Sequence, residues 1–449
     1  MKITRIRISD FHQFKNLDLD LTYPKGHPKQ GQPLDKVCFI GQSGTGKTTL
    51  LELLPVTTHN YPTNIIEKIG SNNLNNNLKI TFSAGLSNEF SIDSQTGENT
   101  NGRIEWHWDN CKFNGEVAEY DFIIQEVFHK WQGEISSKPI YLPANLNYEI
   151  DGVETNQNLV NKKIIDFSKE KVSKVWGVIL EKIQTYQEQE LFIRQEISKV
   201  VEKSSSNVKA IQEALKKLEN WKNVEFDPIK DIADNCLDPL LSKYKLRVKT
   251  EFDFKSKEDI GFIKIEDFEG NEIPHGLWST GTKQVILSAM PLYLLKPKHT
   301  FILFDEPERS LYPDLQRTIV DYYTSLTEDC QFFYSTHSPI IASNFEPWEI
   351  VELKFNSDGK VYRELYYEGE NHVENYKWNP KFMRWDDILQ RIFDLENDGS
   401  LERKEKLDEL ATLNVKYKKL VKKGIDNSDE GIEILKNIEE LSKKLSKWD

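Results

Sequence analysis

Residues 41 to 48 read GQSGTGKT, and they satisfy the pattern G-x-x-x-x-G-K-[ST]. The short β-branched and aromatic run Val37 to Ile40 precedes them, and the stretch TTLLELL begins at Thr48. The context therefore predicts a buried strand that feeds a glycine loop, which in turn opens a helix. At average residue frequencies a chain this long contains the pattern by chance roughly one to two times in a hundred, before strand and helix are required. Its chemistry is that of a phosphate cradle. The glycines let backbone N–H groups turn inward around an anion, Lys47 reaches terminal phosphates, and the Thr48 hydroxyl suits Mg²⁺.

Working outward, residues 300 to 306 read TFILFDE, a buried strand that delivers two carboxylates at its C-terminal end, where open parallel sheets bind ligands. Asp305 is placed to assist the metal, and Glu306 to orient and deprotonate an attacking water. Asp305 follows Lys47 by 258 residues (305 − 47), too far for a compact GTPase and far enough to hold a large insertion. Residues 278 to 284, WSTGTKQ, open the helical run VILSAMPLYLL. Ser279 reads as its N-cap, and Gly281 removes a side chain where an anion can approach the helix start. A third core strand, QFFYSTHSP at 331 to 339, ends at His337, which is suited to hydrogen-bond a γ-phosphate. Taken singly, each is ordinary: acids at a strand end, a serine cap, a histidine after a strand. The order carries the weight, namely phosphate loop, Ser-Gly helix start, Asp-Glu strand, the turn SLYP at 310 to 313, then Ser-Thr-His.

The rest of the chain sets bounds. With 449 residues, two or three structural units are expected. Lys and Arg number 59 against 72 Asp and Glu, a net charge of −13, so the surface as a whole repels phosphate backbones and any nucleic-acid contact must be local. Cys38, Cys111, Cys236 and Cys330 lie far apart, which fits neither a zinc site nor a disulfide framework. The opening MKITRIRISDFHQF alternates charged and apolar residues and contains no apolar stretch resembling a secretory signal, and the longest apolar run, Val285 to Leu295, is interrupted by Ser288 and Pro291 and too short to span a membrane. A cytoplasmic protein with no membrane partner is expected.

Ile3, Ile6 and Ile8 against Leu17, Leu19 and Leu21 predict an N-terminal β-hairpin, and short alternating runs between Asn72 and Phe113 predict an antiparallel subsheet. KPIYLPAN at 138 to 145 reads as another core strand. Val172, Trp176, Ile179, Ile183, Tyr186, Ile193, Ile197 and Val200 step by seven, four and three, and Val208, Ile211, Leu215 and Leu218 answer them after the polar break KSSSN. This predicts an antiparallel helical hairpin, either lying on the globular body or projecting as a short coiled coil. The final ninety or so residues turn to Lys, Glu and Leu at helical spacing.

On ISDFHQF, GQSGTGKT, WSTGTKQ, LFDEPERSLYPDLQ and YSTHSP, the sequence resembles the ABC-type ATPase heads of the RecF and SMC class, and more closely the AAA-type ATPase proteins of antiphage systems such as Septu and PARIS. The resemblance covers residues 1 to 155 and 240 to 355. It implies an α/β fold, an ABC-type P-loop ATPase head whose mixed sheet carries an antiparallel subsheet, with an inserted helical hairpin and a C-terminal helical appendage. The corresponding boundaries are 1–155 and 241–355 for the head, 156–240 for the insertion and 356–449 for the appendage. It further implies that Gly41, Gln42, Ser43, Gly44, Thr45, Gly46, Lys47, Thr48 and Thr49 bind ATP and Mg²⁺, with Asp305 on the metal and Glu306 as general base. His337 would sense the γ-phosphate in cis, while Ser279 and Gly281 would contact the nucleotide of a second copy in an ATP-dependent homodimer. Two positions depart from the pattern. Thr282 stands where relatives often carry an acid, and Asn145 stands where a glutamine usually senses Mg²⁺.

The implied role is an antiphage ATPase that senses a trigger and controls a separate effector protein. The alternative is a RecF/SMC-like ATPase acting on DNA in repair or chromosome maintenance. A nuclease module of the OLD type finds only EGENHVE at 368 to 374 and the pair Asp386 and Asp387, which read as an exposed loop and a helix start. For DNA, KYKLRVKT at 243 to 250 would set Lys243, Lys245, Arg247 and Lys249 on one face of a strand, with Tyr244, Leu246 and Val248 in the core.

Overall fold

The computed structural model describes residues 2–59, 77–84, 88–98, 104–113, 115–117, 138–146, 164–168, 172–203, 207–250, 263–365, 379–393, 395 and 399–445. They form two compact units, Met1–Phe382 and Met383–Asp449.

The first unit begins with the hairpin β1 (Lys2–Phe11) and β2 (Phe14–Asp20). The period-2 pattern sends Ile3, Ile6, Ile8, Leu17 and Leu19 to one buried face, with Ile6 opposite Leu19 and Ile8 opposite Leu17. Next come β3 (Lys36–Gly41), whose Val37–Ile40 segment is wholly buried, and α1 (Lys47–His59), whose Leu50, Leu51, Leu53 and Leu54 close the same core. Then β4 (Asn77–Ala84), β5 (Asn88–Glu98), β6 (Ile104–Phe113) and β7 (Glu116–Val117) build an antiparallel wing on β1. β8 (Ile140–Leu142) and β9 (Ile165–Asp166) lie at the far edge.

Helices α2 (Ser173–Lys203) and α3 (Val208–Val224) pair as a hairpin. Its base is anchored by Val172, Val175, Ile179, Ile183 and Tyr186, all buried, and the Tyr186 ring lies 4.8 Å from that of Trp221. Glu190 clamps the pair through Arg194 (2.7 Å) and Lys222 (2.9 Å). Beyond Glu190 no described residue through Val224 is buried, so the outer turns stand away from the core. Ile193, Ile197, Val200, Ile211 and Leu218 are half-buried along the seam, but Leu215 is 51% exposed and Ala214 takes its place.

Two further short helices, α4 (Pro228–Ile232) and α5 (Asp238–Leu241), lead to a small sheet of β10 (Leu246–Val248), β11 (Ile265–Asp267) and β12 (Glu272–Ile273). The expected long basic strand is therefore corrected. Lys243 lies in a 3₁₀ turn and Lys245 is left-handed at φ 61°, so strand geometry begins only at Leu246. Arg247 pairs with Glu266 (2.7 Å) and Lys249 with Glu272 (3.0 Å), which takes two of the four cations out of a single basic row.

The chain then returns to the main sheet through α6 (Thr280–Leu295), β13 (Phe301–Asp305), α7 (Pro313–Ser325), β14 (Gln331–Ser335), α8 (Pro339–Ala342), β15 (Ile350–Phe355) and β16 (Val361–Glu364). The 13-stranded order is β7-β6-β5-β4-β1-β2-β16-β15-β3-β14-β13-β8-β9. From β15 to β9 the pairs are parallel, so their C-terminal ends face one way. β16 extends this sheet past residue 355, where sequence periodicity suggested a helical appendage. The turn NSDGK supplies the reason, since the Asn356 side chain accepts from the N–H groups of Asp358 and Lys360 and folds the strand back.

One buried side chain ties the two ends of the unit together. Gln331 is fully buried, accepts from the Ile3 N–H (2.6 Å) and donates to the carbonyls of Ile3 and Leu34 (2.9 Å each).

The second unit holds α9 (Trp385–Arg391), α10 (Leu401–Lys422) and α11 (Asp429–Leu445). The last two pair around Ile434 and Leu441. Among the described residues no helix is long and apolar enough to cross a membrane.

Candidate nucleotide site

β3 carries Gly41 to the C-terminal end of the sheet, and three glycines with positive φ (144° at Gly41, 85° at Gly44 and at Gly46) wrap the loop that follows. Geometry demands them. A Cβ on Gly41 would overlap the Leu353 carbonyl oxygen of β15, and one on Gly46 would meet the Phe14 ring at 2.5 Å and the Gln13 amide. Thr45 is buried and its hydroxyl donates to the Gln42 carbonyl (2.8 Å), which pins the turn. The buried Lys47 ammonium folds back onto the carbonyls of Gly41 (2.9 Å) and Gln42 (3.1 Å). Burial lowers its pKa to about 8, while Asp305, Glu306 and Glu308 favour its charged form.

Asp305 closes the site from the other half of the chain. Its carboxylate accepts from the Thr48 hydroxyl (2.9 Å) and from the Ser335 hydroxyl (2.7 Å). Burial pushes its pKa up, and these two donors oppose that shift. One carboxylate beside one hydroxyl is the hard oxygen set that Mg²⁺ uses when phosphates and waters complete its octahedron, so Thr48 and Asp305 fit that ion. Asn145 lies past the end of β8, exposed, at the same edge of the sheet.

Glu306 follows with φ 48°, and its N–H donates to the Ser335 carbonyl (2.8 Å). A left-handed non-glycine residue costs about 1–3 kcal/mol and is found where function holds it. Here it turns the Glu306 side chain out of the strand into a half-exposed position beside Asp305.

His337 follows β14 with its side chain reaching solvent, and partial desolvation together with the Lys47 ammonium lowers its pKa, which favours the neutral imidazole. Glu308, absent from the sequence-based set, fixes this turn. Its Oε1 accepts from the Thr336 hydroxyl (2.6 Å) and the His337 N–H (3.0 Å), and its Oε2 is buried with no hydrogen-bond partner among the described residues. Gln13 and Phe14, which stand against Gly46, belong to the ISDFHQF stretch, but sequence reading gave them no role at the site. The signal was their place in the β1–β2 turn, which is readable only once that hairpin is known to sit against the loop.

Ser279 caps α6, accepting from the Thr282 N–H (3.0 Å) with its hydroxyl 2.8 Å from that of Thr282. This accounts for Thr282, which is buried where an acid was expected. The room left by Gly281 is already taken, since a Cβ there would stand 2.6 Å from the Ser310 carbonyl oxygen. The glycine therefore seats the helix start against the turn at Ser310, itself left-handed at φ 62°, rather than opening a path to a ligand within the same chain. Ser279 and Thr280 remain exposed. Of the nuclease candidates, 368–374 lie outside the described residues. Asp386 and Asp387 are on α9 beside Arg384 (3.3 Å) and Arg391 (3.8 Å), and among the described residues no metal-binding cluster forms.

A glycine loop on the parallel strand β3, with a threonine hydroxyl on the carboxylate of β13 two strands away, has the arrangement of a P-loop nucleotide site. The chain belongs to the AAA ATPase domain family, whose profile matches residues 1–342. No curated protein matches it. Among solved structures it is similar to an SMC head bound to the C-terminal winged-helix domain of ScpA (14% identity, 81% of this chain and 97% of that one, TM-score 0.46). It is also similar to an SMC head with an extended coiled coil bound to the C-terminal domain of ScpA from Pyrococcus furiosus (15%, 81% and 95%, 0.44), and to the SMC head of Thermotoga maritima (11%, 81% and 98%, 0.41).

Proposed function

We propose that the chain hydrolyses ATP at a site completed by a second copy of itself, and that association of two ATP-bound heads controls a separate effector in antiphage defence. The observation that carries the hydrolytic part is the bond from Thr48 to Asp305, which joins the phosphate loop to the acidic strand across 257 residues. Loop N–H groups and Lys47 hold the β- and γ-phosphates, and Thr48 and Asp305 would hold Mg²⁺, which when bound would neutralise charge on the transferring group. Glu306 takes a proton from water as the water oxygen bonds to the γ-phosphorus and the bond to the ADP oxygen breaks. His337 hydrogen-bonds the γ-phosphate and is released with it.

The second copy is supported by Ser279, which stands exposed on a helix start held to the Ser310 turn and makes no hydrogen bond to the phosphate loop among the described residues. A mixing experiment tests it. Lys47→Ala and Ser279→Arg should each abolish hydrolysis, and a mixture should regain it, because a mixed dimer keeps one loop with Lys47 facing one intact Ser279. A mixture as inactive as its parts would refute the shared site. The antiphage role rests on the motif resemblance. Co-purification with the products of neighbouring genes should recover a nuclease or toxin released on hydrolysis, and recovery of recombination proteins alone would favour a clamp on DNA.

A further inference from the structure

The phosphate loop is walled on one side by β15. Leu353 pairs with Gly41, and its carbonyl fills the space a Gly41 side chain would need. Two residues on, at the end of the strand, the Phe355 ring comes within 3.8 Å of the position a Cβ would take on Gly44, at the crest of the loop. Phe355 shares its face of the sheet with Leu353 and lies directly across from Val361, both buried, yet it is itself 40% exposed. An aromatic ring thus emerges from a closed core beside the loop. It is also braced. Asn356 accepts from Asp358 N–H (3.0 Å) and Lys360 N–H (2.8 Å), Gly359 turns at φ 71°, and the Lys360 ammonium donates to the His12 carbonyl (3.0 Å).

A triphosphate seated in residues 41–48 leaves its ribose and base outside the loop. A flat, poorly hydrated ring system gains by lying on an aromatic face, and a ring fixed in advance loses little freedom in accepting it. We propose that Phe355 is the platform on which the nucleobase of the bound nucleotide stacks. The assignment rests on the phosphate-loop reading above and deepens it, since it divides recognition between a loop that reads phosphate and a ring that reads the base. Stacking is tolerant of base identity, so the platform favours purine nucleotides over inorganic polyphosphate without choosing adenine over guanine.

Calorimetric titration of the full chain with ATP, GTP and inorganic tripolyphosphate, each with Mg²⁺, tests it. Phe355→Ala should weaken ATP and GTP by roughly 5- to 100-fold and leave tripolyphosphate within about twofold. Phe355→Tyr should restore the nucleotides. Equal weakening of all three ligands would make Phe355 a support of the loop and overturn the assignment, as would unchanged affinity for all three. Lys47→Ala reports on the other premise, because it should weaken all three ligands. If it weakens none, the phosphate-loop reading fails first and the stacking assignment falls with it.

Discussion

The sheet end around Gly41 and the outer turns of the α2–α3 hairpin are built on opposite principles. At the sheet end, groups far apart in sequence meet on one buried carboxylate, as Asp305 accepts from the Thr48 hydroxyl of the loop and from the buried Ser335 hydroxyl. Along the hairpin, contacts are between two neighbouring helices, and no described residue from 191 to 224 is buried. A network of the first kind is intolerant of change because each group depends on several others. A seam of the second kind loses little with any one side chain, which leaves its surface free to diverge.

That contrast can be broken or sharpened by substitution. The largest effect is expected at Glu306→Gln, which should slow single-turnover phosphate release by about 10² to 10⁴ while ATP affinity stays constant. A near-normal rate would remove Glu306 as the base. Gly41→Ala forces a Cβ against the Leu353 carbonyl at φ 144°. It should cost roughly 2–4 kcal/mol in urea denaturation, and a loss below about 0.5 kcal/mol would mean the wall formed by β15 yields.

A smaller effect is expected at Glu349, buried just before β15 with its carboxylate 3.7 Å from the Lys36 ammonium; burial raises the Glu349 pKa from 4.5 to about 7. Between those values the folded chain holds a proton that the unfolded chain has lost. The contribution of Glu349 to stability is therefore fully present below pH 4.5 and is lost as pH rises through 7. Glu349→Gln should remove that decline, gaining no more than about 3 kcal/mol at pH 8 and nothing at pH 4; a gain independent of pH would contradict the assignment. The smallest effect belongs to the hairpin. Leu215→Ser should shift stability by less than about 0.5 kcal/mol and leave ATP turnover unchanged. A loss of several kcal/mol there would show that the outer turns are packed after all.

The same contrast explains what sequence reveals and what it conceals. β3, its glycine loop and the acidic end of β13 were legible because their chemistry is local: a buried strand, a required φ, a carboxylate pair. The N-terminal hairpin was legible from alternation alone. Glu308, Gln13 and Phe355 were not, because their roles depend on sheet register. The Glu308 carboxylate matters only because β13 lies beside β14, and Gln13 and Phe355 matter only because β2, β16, β15 and β3 are consecutive in the sheet. Gly281 reads from sequence as an opening for a ligand, and the fold fills that opening with the Ser310 carbonyl, a neighbour 29 positions away (310 − 281). The basic row at 243–250 failed because one left-handed residue, Lys245, breaks its alternation.

The strand carrying the glycine loop waits a long time for its neighbours. β3 ends at residue 41, but the strands on either side of it come from 331–335 and 350–355. At about 5–20 residues per second, a ribosome needs roughly 15 to 60 s to supply them. Throughout that interval the nascent chain presents an apolar edge with unmet hydrogen bonds, which is the condition under which chaperones engage. Newly made chains should therefore depend on such escort far more than the finished protein does.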